Sequence, residues 1–148
     1  MSNNASSSIA GFSVSDYLSC IQVVMVNTTL PANIGSAARA MHTMGLSHLT
    51  VVDPKLPIDD TSVSHAAGGS DLLSSAAITP TLESAIADCQ LVFAASSRSR
   101  HLPRPVVTPT QAAKIMLDFI DKQSAIALST TTNDQPIIAI LFGREDRG

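Results

Sequence analysis

Residues 20–26, Cys20-Ile21-Gln22-Val23-Val24-Met25-Val26, and the stretch shortly beyond them, Asn33-Ile34-Gly35-Ser36-Ala37-Ala38-Arg39-Ala40-Met41-His42-Thr43-Met44-Gly45, decide the fold. The first is a short, nearly continuous apolar run, the pattern of a strand buried on both faces of a parallel sheet. The second reads as a helix from Ile34 to about Met44, with Asn33 as its cap and Gly45 as its stop. Ile34, Ala37, Ala38, Met41 and Met44 share one face of it.

Downstream the same alternation continues. His48 to Asp53 is the next strand, ended by Pro54, and a Gly-bearing segment at Ala66 to Leu73 follows. Thr79-Pro80 is a cap and first-turn signal for a helix through Ala87, before a third strand at Leu91 to Ala94. Thr108-Pro109 repeats that signal for a helix carrying Ile115, Met116, Phe119 and Ile120. After the polar stretch Ser129 to Gln135 comes a strand at Ile137 to Phe142. Alternating strands and helices predict an α/β fold with a Rossmann-like parallel sheet, whose ligands sit at the carboxyl ends of the strands.

Upstream, Met1 to Ser15 are rich in Ser, Asn and Ala and lack the basic and apolar regions of a signal peptide. Residues 1–18 are expected to be a flexible tail, and residues 19–148 one domain. At 148 residues the chain suits a single core. The hydrophobic share of 45% and charged share of 14% favour a sheet covered on both faces. No apolar run approaches the ~18–20 residues of a membrane span. Cys20 and Cys89 have neither metal-ligand nor disulfide-framework spacing, which points to reduced core thiols in a cytoplasmic protein.

Composition also limits the partners. Aromatics are 3% with no tryptophan, so stacking of bases on an aromatic platform has little to build on. The net charge of −3 is the wrong sign for bulk attraction of nucleic acid, so a local basic patch is required. Ala95-Ser96-Ser97-Arg98-Ser99-Arg100-His101-Leu102-Pro103-Arg104-Pro105 supplies one directly after the third strand. The competing reading is a solvated basic loop.

Two further stretches carry chemistry. Gly35 and Arg39 lie one helical turn apart, so the Arg39 guanidinium would lean over the bare Gly35 backbone toward the positive end of the helix. With Asn33 and the helix amides this would hold a phosphate; the alternative is an ordinary cap and a solvated arginine. Leu141-Phe142-Gly143-Arg144-Glu145-Asp146-Arg147-Gly148 follows the last strand, with a glycine that lets a ligand approach the backbone. It lacks the length and lysine of a Walker loop.

Taken together, these stretches resemble the SPOUT superfamily of RNA methyltransferases, in particular the TrmJ-like branch of the SpoU/TrmH ribose 2′-O-methyltransferases. The resemblance covers about Ile21 to Gly148, with Asn33, Gly35 and Arg39 as a first motif and Leu141 to Gly148 as the start of a second. Ala66-Ala67-Gly68-Gly69-Ser70-Asp71 and Ser97-Arg98-Ser99-Arg100 with Leu102-Pro103 agree with that branch.

The resemblance implies a homodimer, a C-terminal trefoil knot and an S-adenosyl-L-methionine pocket made from three loops. It implies methylation of a ribose 2′-hydroxyl in tRNA, at cytidine or uridine 32 of the anticodon loop. Two loops fall at Ala95, Ser96 and Ser97 and around Gly143 and Glu145; Ala95 stands where the family would have threonine. The third loop and the knot segment that the resemblance implies are missing from these 148 residues, so the chain reads as a fragment or a defective molecule and the 148-residue form is expected to be inactive.

Arg39 and Asn33 are the implied catalytic residues, and Arg98, Arg100, Arg104 and Arg144 the implied tRNA contacts. An arginine stays protonated at neutral pH, so Arg39 is read as orienting phosphate and stabilising a developing alkoxide rather than as a base. His42 and His65 are read as structural, and no metal is required. Asp53 at a strand end lacks the glycine-rich fingerprint of a nicotinamide enzyme. The rival reading is a non-catalytic RNA-binding or assembly module that keeps the sheet and the arginine loop.

Overall fold

A computed structural model describes residues 12–97, 103–130 and 134–146. The elements run α1 (Val14–Ser19), β1 (Ile21–Val26), α2 (Pro31–Met44), β2 (His48–Val52), α3 (Asp60–Ala66), a 3-10 turn (Ala67–Gly69) and α4 (Ser70–Ser75). They continue as β3 (Ala77–Thr79), α5 (Leu82–Ile86), β4 (Leu91–Ala94), α6 (Pro109–Thr130) and β5 (Ile138–Phe142). The five strands are all parallel, in the order β3-β2-β1-β5-β4. The chain builds outward from β1 to β3, then crosses to the far edge and returns through β5. The reversal lies between β1 and β5, and the carboxyl ends there are where an open α/β sheet accepts ligands.

Strand β1 is buried because it is central: Val23 pairs with Leu49 on one side and Ile140 on the other. Val23 and Leu49 share a core with Ile34, Ala38 and Met41 of α2. Ile138 and Ile140 of β5 meet Met116 and Ile120 of α6 on the same face of the sheet. The opposite face, through Val24, Val52 and Ala139, is covered among the described elements by α5, with Leu82, Ala85 and Ile86. Coverage there is partial: Val92, which pairs with Ala139, is 39% exposed. In β5, Ile138 and Ala139 are buried while Phe142 is 44% exposed.

Several local expectations are corrected. Helix α2 begins at Pro31, capped by Leu30, so Asn33 stands inside the first turn and is not the cap. Proline pre-sets the helical φ and needs no amide partner, so it starts the helix ahead of the asparagine. The stop at Gly45 is as expected, with φ 78°. Thr79 does not cap a helix; it ends β3, and its carbonyl accepts the Asp53 amide at 2.9 Å. The cap one residue past Pro80 is Thr81, whose hydroxyl accepts the Ser84 amide at 3.2 Å. Thr108 opens α6 as expected, in a reciprocal pair with Gln111 at 2.8 and 3.2 Å.

Residues 12–18, expected to belong to a flexible tail, are instead folded onto the domain. Ser13 caps α1 in a capping box with Asp16, and Phe12 and Tyr17 pack on the α6 side of the core. The Tyr17 hydroxyl donates to Asp121 of α6 at 2.6 Å. Residues 1–11 lie outside the described residues. No described helix is long and apolar enough to cross a membrane.

Candidate active site

The site is organised by Glu145, on the turn after β5. Its carboxylate reaches across to the carboxyl end of β1 and accepts from the Thr29 amide at 3.2 Å, the Thr29 hydroxyl at 3.0 Å and the Leu30 amide at 3.4 Å. Asn33 Nδ2 donates to it at 2.7 Å. Burial works to raise this carboxyl, but the hydrogen bonds from Asn33, its own amide and Thr29 outweigh it and bring the pKa down to about 2. A carboxylate at the start of a 14-residue helix is also favoured by the helix dipole.

At the expected anion site, Asn33 and the amides of Thr29 and Leu30, just ahead of α2, are engaged by the protein's own carboxylate, so a phosphate would have to displace Glu145 to use them. Thr28, next to this junction in the chain, is 2% exposed, and its hydroxyl has no hydrogen-bond partner among the described residues.

Gly35 also has another role than expected. A Cβ there would lie 2.1 Å from the Ser62 carbonyl oxygen of α3, so the bare backbone allows α2 and α3 to touch. Gly69 repeats the device, since its Cβ would lie 2.5 Å from the Ala38 carbonyl oxygen. The Ala67-Gly68-Gly69 run, strained at Ala67 with φ 46°, thereby seats α3 and α4 on α2. Arg39 is exposed and borders an open groove with Ser64 and His65 of α3.

The β4 loop leaves the sheet next to the β5 turn. Ala95 extends the ladder by donating its amide to the Leu141 carbonyl at 2.9 Å, so that donor is already used. Ser96 and Ser97 are exposed beyond it. A Cβ on Gly143 would meet nothing within 4 Å, leaving that backbone open. Small Ala94 and Ala95, half-buried Leu141 and open Gly143 form an accessible wall at the carboxyl ends of β4 and β5, beside the two exposed serines. Glu145 orders the adjoining turn and is not free to take a ligand.

Among the expected RNA contacts, Arg104 is exposed. Arg144 forms a two-pronged pair with Asp146 at 2.8 and 2.6 Å, which a phosphate must compete with. Arg98 and Arg100 lie outside the described residues. A separate groove at the amino ends of β4 and β5, bordered by Asp88 and Asp134, is at the wrong end of the sheet for this chemistry.

Residues 20–148 match the model of the SpoU rRNA Methylase family. The chain belongs to the SpoU rRNA methylase family. As a SpoU domain it is 38% identical over 128 residues to the tRNA (cytidine/uridine/adenosine-2′-O-)-methyltransferase TrmJ of Pseudomonas aeruginosa, covering 86% of this chain and 45% of that protein. It is 40% identical over 128 residues to the tRNA (cytidine/uridine-2′-O-)-methyltransferase TrmJ of Escherichia coli strain 536, covering 86% of this chain and 47% of that one. The crystal structure of TrmJ from Z. mobilis ZM4 superposes with a TM-score of 0.71 at 33% identity, over 86% of this chain and 50% of the other. The SpoU domain thus spans about half the length of the curated relatives it matches.

The Glu145 junction makes a testable pH signature of this SpoU domain. A carboxyl lowered from 4.5 to about 2 contributes stability that is present above pH 4.5 and lost as the pH falls toward 2. Solvent screening of this exposed group reduces the contribution to about 1 kcal/mol. Glu145→Gln should therefore lower urea stability by about that amount at pH 7 and by almost nothing near pH 2. An equal loss at both pH values would show that the carboxylate charge is irrelevant to the junction.

Proposed function

We propose that this chain is the catalytic domain of an S-adenosylmethionine-dependent methyltransferase acting on a ribose 2′-hydroxyl of tRNA, at cytidine or uridine 32. The observation that carries the reading is the Glu145–Asn33 junction at the carboxyl ends of β1 and β5, with Arg39 one to two turns along the same helix. Membership in the SpoU family and the names of the TrmJ relatives support methyl transfer, and tRNA over rRNA as the acceptor.

When bound, S-adenosylmethionine supplies an electrophilic methyl group. Ser96, Ser97 and the open backbone at Gly143 are the residues to hold it, on the wall formed by β4 and β5. Glu145 fixes the first turn of α2 through Thr29, Leu30 and Asn33, and so sets the position of Arg39. Arg39, always cationic, orients a backbone phosphate and stabilises the alkoxide developing on the ribose oxygen. Arg98, Arg100 and Arg104 hold the tRNA backbone, with affinity that falls as salt rises. The reading includes a cytoplasmic homodimer as the working form.

The test uses the complete natural gene product that carries this chain, unmodified tRNA transcript and S-adenosylmethionine. Nucleoside mass spectrometry should find 2′-O-methylcytidine or 2′-O-methyluridine. Methylation confined to bases, or no transfer at all, would refute the proposal.

A further inference from the structure

The chain has four phenylalanines and one tyrosine, too few for a base-stacking platform. Phe12, Tyr17, Phe93 and Phe119 are all half-buried against the core cluster of Met116, Ile120 and Ile138. Phe142 is the exception. It closes β5 and stays 44% exposed, although its strand lies inside the sheet between β1 and β4.

The position of this ring relates it to both halves of the site. Side chains alternate along a strand, so Phe142 shares a face with Ile138 and Ile140, while Leu141 takes the other. Leu141 pairs with Ala94 on the wall assigned to the cofactor. Phe142 pairs instead with Met25 of β1, which packs against the cluster containing Ile34 and Ala38 of α2, the helix that carries Arg39. The ring thus adjoins Leu141 and Gly143 of the wall in the chain, and lies on the face of the sheet that α2 covers. Three residues on, Glu145 ties the turn to Thr29, Leu30 and Asn33, which fixes the backbone that follows the ring.

We propose that Phe142 is the surface on which the base of the methylated nucleotide stacks, an inference that rests on the tRNA ribose methyltransferase reading above. Proteins that recognise RNA loops splay bases out of their stack and receive them on aromatic rings. One ring serves one base. Cytidine and uridine differ in the donors and acceptors on their pairing edges, but each presents a π-face, so a stacking contact accepts either. The adenine of the cofactor is the competing occupant, and it is disfavoured because Phe142 faces away from Leu141 and Ala94.

The test is single-turnover methyl transfer by the complete gene product and its F142L and F142Y variants. Each acts on unmodified tRNA and on the same tRNA with an abasic ribose at the methylated position, which keeps the 2′-hydroxyl. Stacking of one base on an aromatic ring is worth about 5- to 150-fold, so F142L should lower transfer efficiency at subsaturating tRNA by a factor in that range. F142Y keeps the ring and should stay within about threefold of wild type. On abasic tRNA the wild type should already show the loss, and F142L should add less than about twofold, because the two changes remove the same contact. Affinity for S-adenosylhomocysteine should be unchanged in both variants. An F142L loss of equal size on intact and abasic tRNA overturns the assignment, as does an F142L efficiency equal to wild type on intact tRNA. A loss of S-adenosylhomocysteine affinity also overturns it, since the ring would then belong to adenine. If the wild type itself methylates no tRNA, the functional reading fails and this inference falls with it.

Discussion

Gly35→Ala should destabilise the domain by about 2 kcal/mol or more, a larger loss than any substitution on the loops of the site. The new Cβ would lie 2.1 Å from the Ser62 carbonyl oxygen, and that atom belongs to backbone that cannot turn aside. Helix α3 must move off α2, opening the contacts among Ile34, Ala38 and Ala66 that close this side of the core. The clash overrides the ~1 kcal/mol that alanine ordinarily gains over glycine inside a helix. Gly143→Ala is the control, since nothing lies within 4 Å of its Cβ, and its effect should stay within about 0.5 kcal/mol. Urea denaturation of both variants checks the pair. Equal stabilities would mean that the two helices are not in contact through Gly35.

Arg39→Ala in the complete gene product should reduce methyl transfer at saturating tRNA by about 100- to 1,000-fold, while affinity for S-adenosylhomocysteine changes little. The side chain borders the α2–α3 groove and not the β4–β5 wall assigned to the cofactor. Arg39→Lys should fail nearly as badly, because an ammonium cannot present two parallel donors to a phosphate. Single-turnover rates beside calorimetry with S-adenosylhomocysteine separate the two quantities. An R39A rate near wild type would remove Arg39 from the chemistry.

The sheet was legible because a parallel strand buried on both faces must be apolar at nearly every position. Residues 21–26, 48–52, 91–94 and 138–142 all emerge as strands close to where the pattern puts them. Strand β3 was not legible, since Ala77–Thr79 is short and its identity depends on pairing with β2. Glycines misled in a different way. The sequence says that Gly35 has no side chain, but only the structure says that the space belongs to α3 and not to a ligand.

The same limit applied to the site. Asn33 and Glu145 were both singled out, on motifs 112 residues apart, yet the bond between them depends on β1 and β5 being neighbours. Thr29 and Leu30 contribute through backbone amides, which no residue type announces. His65, read as structural from the sequence, lies over the Gly35 backbone with its ring Nδ1 against the Thr61 carbonyl.

The measurement that bears most directly on the account is methyl transfer to a tRNA that carries one 2′-deoxynucleotide, at position 32, beside the otherwise identical all-ribose tRNA. If the acceptor is that ribose hydroxyl, the all-ribose tRNA gains one methyl group and the substituted one gains none, although both bind with similar affinity. Undiminished transfer to the deoxy-substituted tRNA would contradict the account, because the methyl group would then be going to another atom.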